Sequence, residues 1–92
     1  MELESELIYR HWGEGRSEKG WVVFAVACYA TRCSGVDVGI VHCQVRVRET
    51  DQVLQNEWTL VECRKIGYFA DAVERAVALY HDLERKYKEG AS

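Results

Sequence analysis

Near the end of the chain apolar residues recur in alternating steps of three and four, at Val73, Ala76, Tyr80, Leu83 and Tyr87, and Ala72 and Leu79 widen the stripe. That spacing turns one face toward a core and predicts a helix over 71–88. Asp71 with Glu74 three residues later has the form of a capping box, with Asp in place of Ser or Thr. Gly90 suits the position just past the helix end, where a left-handed residue costs glycine little. Asp71–Arg75, Asp82–Lys86 and Glu84–Lys88 each set an acid four residues before a base, a spacing that helps a helix by about 0.2–0.5 kcal/mol per pair.

Upstream, the period shortens to two. Val41, Cys43, Val45 and Val47 point one way while His42, Gln44, Arg46 and Arg48 point the other, as in a strand with one buried face. The segment 20–30 is rich in valine and aromatics and apolar on both faces, which predicts a central strand covered on both sides. Arg32 to Gly35, with its Ser34-Gly35 pair, predicts the hairpin turn between these two strands. A further strand over 57–64 sets Thr59, Val61 and Cys63 on one face and Trp58 and Leu60 on the other, after a loop over 49–56. Leu7 to Trp12 alternates as an edge strand that Gly13 and Gly15 would end, although the acidic residues before it could also begin a short helix.

The pattern therefore predicts one α+β domain over 1–92: an antiparallel meander of three or four strands, with one C-terminal helix packed on one face (ββββα). One side of the sheet is then left without a cover. Three tryptophans and five tyrosines exceed what a helix-facing core of this size needs. Some of Trp12, Trp21, Tyr29 and Trp58 must line the uncovered side or its rim, where aromatics beside arginine favour binding. An identical face closing a homodimer is an equal expectation.

Composition changes this picture little. The hydrophobic fraction of 48% is ordinary for a globular chain, and the absence of proline argues against a linker or domain boundary. The longest apolar run, Trp21 to Ala30, is about half of the roughly 20 residues that span a bilayer. Glu2, Glu4 and Glu6 stand where a secretory leader would carry positive charge, so a cytoplasmic protein with reduced cysteines and no membrane contact is expected. The net charge of −3 is spread without a basic block of the kind that nucleic-acid affinity usually needs.

Candidate chemistry is sparse. Cys28, Cys33, Cys43 and Cys63 lack the two-residue spacing of a zinc knuckle, and adjacent His42 and Cys43 point to opposite faces of a strand. If the hairpin turned about Gly35 and Val36, Cys28 and Cys43 would face each other across it. His11, His42 and His81 lie on different elements, with nothing to assemble a nucleophile and base. No phosphate-binding glycine loop is present. The expectation is a protein that is not an enzyme and takes no metal or cofactor. The polar set that stands out is Arg46, Arg48, Arg64 and Lys65, on neighbouring strands beside Trp58 and with Trp21 nearby. Arginine beside stacking aromatics on a sheet can hold single-stranded nucleic acid, and some single-strand-binding coactivator domains share the layout of four strands and a helix. Glu49, Asp51, Glu57 and Glu62 interleave with these bases and weaken their field, which favours a salt-bridged sheet face instead.

The run Gly67-Tyr68-Phe69-Ala70-Asp71-Ala72-Val73-Glu74-Arg75-Ala76-Val77, a glycine and two aromatics leading into an amphipathic helix, resembles small phage-encoded proteins of unknown function. The likeness covers about the last third of the chain, and Ala70-Asp71 stands where Pro-Thr is common in those proteins. It implies an accessory or inhibitor role from a mobile element, for instance one blocking a host defence complex, and it transfers no site. Independently of it, Gly67 frees the backbone to turn, so that Tyr68 and Phe69 can wedge between sheet and helix. The expected function is a non-enzymatic binding module or inhibitor acting by surface contact with a protein or ribonucleoprotein partner. A single-stranded nucleic-acid-binding domain using the sheet face is the alternative.

Overall fold

In the computed structural model, which describes residues 4–89, four strands form one antiparallel sheet in the order β1-β2-β3-β4. They are β1 (Ser5–Ser17), β2 (Gly20–Cys33), β3 (Val36–Val47) and β4 (Val53–Glu62). A helix, α1 (Ala70–Glu84), lies across one face and ends in a wider π-type turn over Arg85–Glu89. The expected ββββα meander is the architecture found, with four strands rather than three.

The core follows from two periodicities meeting. Val22, Phe24, Val26 and Cys28 on β2, and Val41, Cys43, Val45 and Val47 on β3, turn toward Ala72, Ala76, Tyr80, Leu83 and Tyr87 of the helical segment. A fully buried Val, Leu or Phe contributes about 1.5–3 kcal/mol relative to exposure, so this layer dominates the folding free energy. The β2–β3 hairpin turns on Ser34 and Gly35, both with positive φ (53° and 79°), which matches the strands' twist. That turn pairs Cys28 with Val41 and Cys43 with Val26. A turn one residue later, which would have brought the two cysteines opposite each other, is not the one adopted.

Gly13 and Gly15 do not end the first strand; β1 runs through both. Each faces the helical segment at close range: a Cβ on Gly13 would stand 2.7 Å from Tyr80 Oη, and one on Gly15 would stand 2.5 Å from the Tyr87 carbonyl oxygen. They make room for the helix rather than breaking the strand. From Ser5 onward the acidic N-terminal stretch is strand, whereas Glu2 lies outside the described residues. The loop between β3 and β4 is shorter than expected, and β4 begins at Val53. Strand β2 is central but covered on one face only, because Trp21, Val23, Ala25, Ala27 and Tyr29 look away from the helix and none is fully buried.

The helix start also differs. Phe69 occupies the cap position in a left-handed conformation (φ 53°) with no side-chain cap. Asp71 is not a cap residue, because its carboxylate is already committed: Oδ2 accepts the backbone N–H of Arg64 (2.8 Å) and of Lys65 (3.3 Å). Glu74 instead accepts from Lys65 Nζ at 2.9 Å. Of the predicted acid–base pairs along the helix, Glu84–Lys88 forms at 3.4 Å, while Asp82 pairs with Arg85 rather than Lys86 and Asp71 with Lys65 rather than Arg75. Of the two aromatics at the corner, only Phe69 is buried; Tyr68 is exposed and stacks edge-on against it. Gly90 lies outside the described residues. No helix among the described residues is long and apolar enough to cross a membrane.

Candidate functional site

Strand register converts the alternation into rows across the uncovered face. Arg10, Ala27, His42 and Trp58 form one row, and Trp12, Ala25, Gln44 and Asn56 form the next. On the other side of the first row lie Leu7, Tyr29, Ile40 and Leu60. These rows hold one formal charge, Arg10. The apolar side chains are well presented: Trp12 is 59% exposed, Trp58 60% and Leu60 72%.

The face has relief. On β2 the small Ala25 and Ala27 floor a hollow of about 320 Å³, with Leu7, Arg10 and Tyr29 on one side and His42 and Gln44 on the other. Beside it runs a ridge on β3 and β4, where the His42 ring stacks on Trp58 with centroids 3.8 Å apart and planes 11° from parallel. His42 Nε2 lies 2.6 Å from Asn56 Oδ1, a hydrogen bond that requires the proton on Nε2. Backbone pairing and this stack together fix the ridge.

Charge on the face gathers toward the strand ends, away from the middle rows, and most of it is paired within the chain. Arg48 meets Glu14 at 3.3 Å, and Arg46 meets Asp51 at 3.8 Å. The Arg16 guanidinium sits 4.8 Å from the centre of the Trp21 ring. Such exposed pairs contribute about 0–1 kcal/mol each, but they leave little unbalanced positive potential for a polyanion.

The six residues singled out from the sequence are thus divided. Trp21, Arg46, Arg48 and Trp58 share the uncovered face, with the arginines and Trp21 at one end and Trp58 near the middle. Arg64 and Lys65 do not join them. They follow β4, where Arg64 pairs with Glu62 (3.2 Å), Lys65 pairs with Glu74, and their backbone N–H groups hold Asp71. The Arg64 N–H is the main reason that the Asp71 carboxyl is held below its ordinary range, with the Lys65 N–H and ammonium adding to it. Their role is to tie the end of the sheet to the start of the helix. Leu7, Ile40 and the alanine floor of β2 complete the face: Ile40 and the alanines follow from the β3 alternation carried across its register, whereas Leu7 reaches the face through a register shift between Leu7 and Tyr9 that alternation does not reveal.

Compared with protein-family models, with curated proteins and with solved structures, the chain matches none.

The remaining reactive groups lie elsewhere. Cys28 and Cys43 are buried in the helix-facing core, and burial pushes both thiols up to about 11. His11 packs edge-on against Tyr80, and His81 lies 3.6 Å from Glu84. No group of three or more potential metal ligands occurs among the described residues.

Proposed function

We propose that this chain is a non-enzymatic protein-binding module whose working surface is the uncovered face of the sheet. The observation that carries the reading is that the middle rows of the face hold one formal charge, with Trp12, Leu7, Trp58 and Leu60 on its edge strands, Tyr29 and Ile40 between them, and the ion pairs toward the strand ends. Depletion of charge at the centre, aromatic anchors and a polar rim are the pattern of protein interfaces. Exposed apolar area on this scale is uncommon on soluble monomers unless it has a partner. The pairing of Arg46 and Arg48 with acids, and the diversion of Arg64 and Lys65 to the helix start, weigh against a nucleic-acid track. An accessory or inhibitor role, as the C-terminal resemblance implies, would use such a face by covering a surface of its target.

Site-specific photo-crosslinking in cells tests this reading. A benzophenone side chain at position 12 or 58 should give adducts that protease removes and nuclease leaves intact. The same group at Ala78, on the outer surface of the helix, should give few. Adducts that nuclease removes, or equal yields from all three positions, would refute a protein-binding face.

A further inference from the structure

From the relief of the uncovered face we infer that its occupant is a second copy of this chain, packed sheet to sheet about a two-fold axis running along the strands between β2 and β3. This rests on the reading of that face as a protein-binding surface and names what it binds.

Area is the first argument. Four strands about 4.8 Å apart, the shortest of 10 residues at about 3.3 Å each, outline a patch on the order of 600 Å² in projection. With side-chain relief added, this approaches the roughly 800 Å² per partner of a standard stable interface. The molecule is a slab of 45 × 28 × 14 Å, so one of its two broad sides is involved. Two such sheets pack face to face with strands within about 30° of each other and a separation of about 10 Å.

Self-complementarity is the second. The proposed axis lays β2 of one copy over β3 of the other, and β1 over β4. Ala25 and Ala27 then receive Gln44 and His42 of the second copy, so the ridge of each chain enters the hollow of the other. Tyr29 meets Ile40, and Leu7 meets Leu60. Arg10, the charge in the central rows, comes to the Trp58 ring, where a guanidinium is attracted by the π face. A two-fold across the strands would instead set alanine strand on alanine strand and ridge on ridge. Small against large at each central position is what close packing requires, and only the first axis supplies it. An isologous dimer also needs no partner beyond the chain itself.

Sedimentation equilibrium of the full chain tests the proposal, with a mass of twice 10.6 kDa expected. Ala27→Glu fills the hollow with charge, and Leu60→Lys alters a side chain that the monomer leaves largely in water. Each should weaken the dimer at least about 30-fold, a hot-spot loss near 2 kcal/mol, while far-ultraviolet circular dichroism stays unchanged. Register is tested separately in a Cys33→Ser background. Oxidising a mixture of Leu7→Cys and Leu60→Cys chains should give a covalent dimer, and oxidising either chain alone should not. A monomer across the micromolar range, or a dimer that both face variants leave unweakened, overturns the proposal. If the protein is a monomer and position 58 crosslinks to other proteins, the binding-module reading stands without the dimer. If the monomer yields no protein adducts, both fall.

Discussion

Substituting Gly39 by alanine probes how closely the helix is seated on the sheet. Gly39 is buried on the helix-facing side of β3, and a Cβ there would stand 2.0 Å from the Cβ of Ala72 in the first turns of α1. Carbon atoms in contact sit about 3.5–4.0 Å apart, so the two elements would have to separate by about 1.5–2 Å. Neither atom has a rotamer through which to escape, because each is attached directly to backbone. Overpacking of a tight core costs about 1–3 kcal/mol, and a rigid contact belongs toward the upper end. Alanine recovers part of this, about 0.5–1 kcal/mol, because it loses less backbone freedom in a strand than glycine. The expected net cost is about 2 kcal/mol, or roughly 8–16 °C in Tm for a domain of this size. Urea denaturation of Gly39→Ala, Ala72→Gly and the double variant measures it. Removing the opposed methyl group should rescue the first change, so the double variant should be at least about 1 kcal/mol more stable than the sum of the singles. A Gly39→Ala loss under about 0.5 kcal/mol, or strict additivity, would refute the close contact.

Phe69→Ala should cost about 3 kcal/mol or more, as truncation of a buried aromatic does, whereas Tyr68→Ala should stay within about 1 kcal/mol; thermal melts compare them, and a midpoint change under about 2 °C for Phe69→Ala would mean an exposed ring. Cys33 is exposed and should be alkylated by a soluble maleimide in the native state, with Cys28 and Cys43 reacting only on unfolding; mass mapping of the adducts checks this. Because burial raises both core thiols from 9.0 to about 11, the folded state holds protons that the unfolded state releases, so their stabilising contribution is complete below about pH 9 and is lost as pH rises toward 11. Cys28→Ala with Cys43→Ala should flatten that alkaline limb of the stability curve. Asp71 has the opposite sign: its lowered pKa gives a contribution present above the ordinary carboxylate value of 3.8 and lost as pH falls below it. Denaturation of Asp71→Asn across acid pH should show a shallower acid limb than the wild type.

Where a single periodicity governed a segment, the sequence spoke clearly. The three-and-four stripe from Ala72 to Tyr87 is the buried face of the helix, and the alternation over Val41–Val47 is the helix-facing row of β3. It misled where one residue type serves two purposes. Glycine reads as a strand terminator, yet Gly13 and Gly15 are spaces for Tyr80 and Tyr87, and that need is visible only once the helix is docked. Asp71 has the chemistry of a cap, but two N–H groups that precede it by seven and six residues reach its carboxylate first. The two apolar faces of β2 suggested cover on both sides, because composition reports that a surface avoids water and not what covers it. The candidate set comes together only in part. Alternation assigns Arg46 and Trp58 to one face, but Arg64 and Lys65 lie past the last paired residue, where a period of two no longer applies.

The meander order with a terminal helix also bears on the sequence of events during folding. Every hairpin pairs neighbours, so the whole sheet can form before α1 docks. Until the helix arrives, Phe24, Val26 and Val45 have nothing above them, and the nascent sheet is greasy on both broad sides at once. Contacts such as Tyr80 Oη donating to the Trp12 carbonyl, across 68 positions of chain, come last. Binding of a fluorescent apolar dye during refolding should therefore peak once the sheet has formed and collapse as the helix docks.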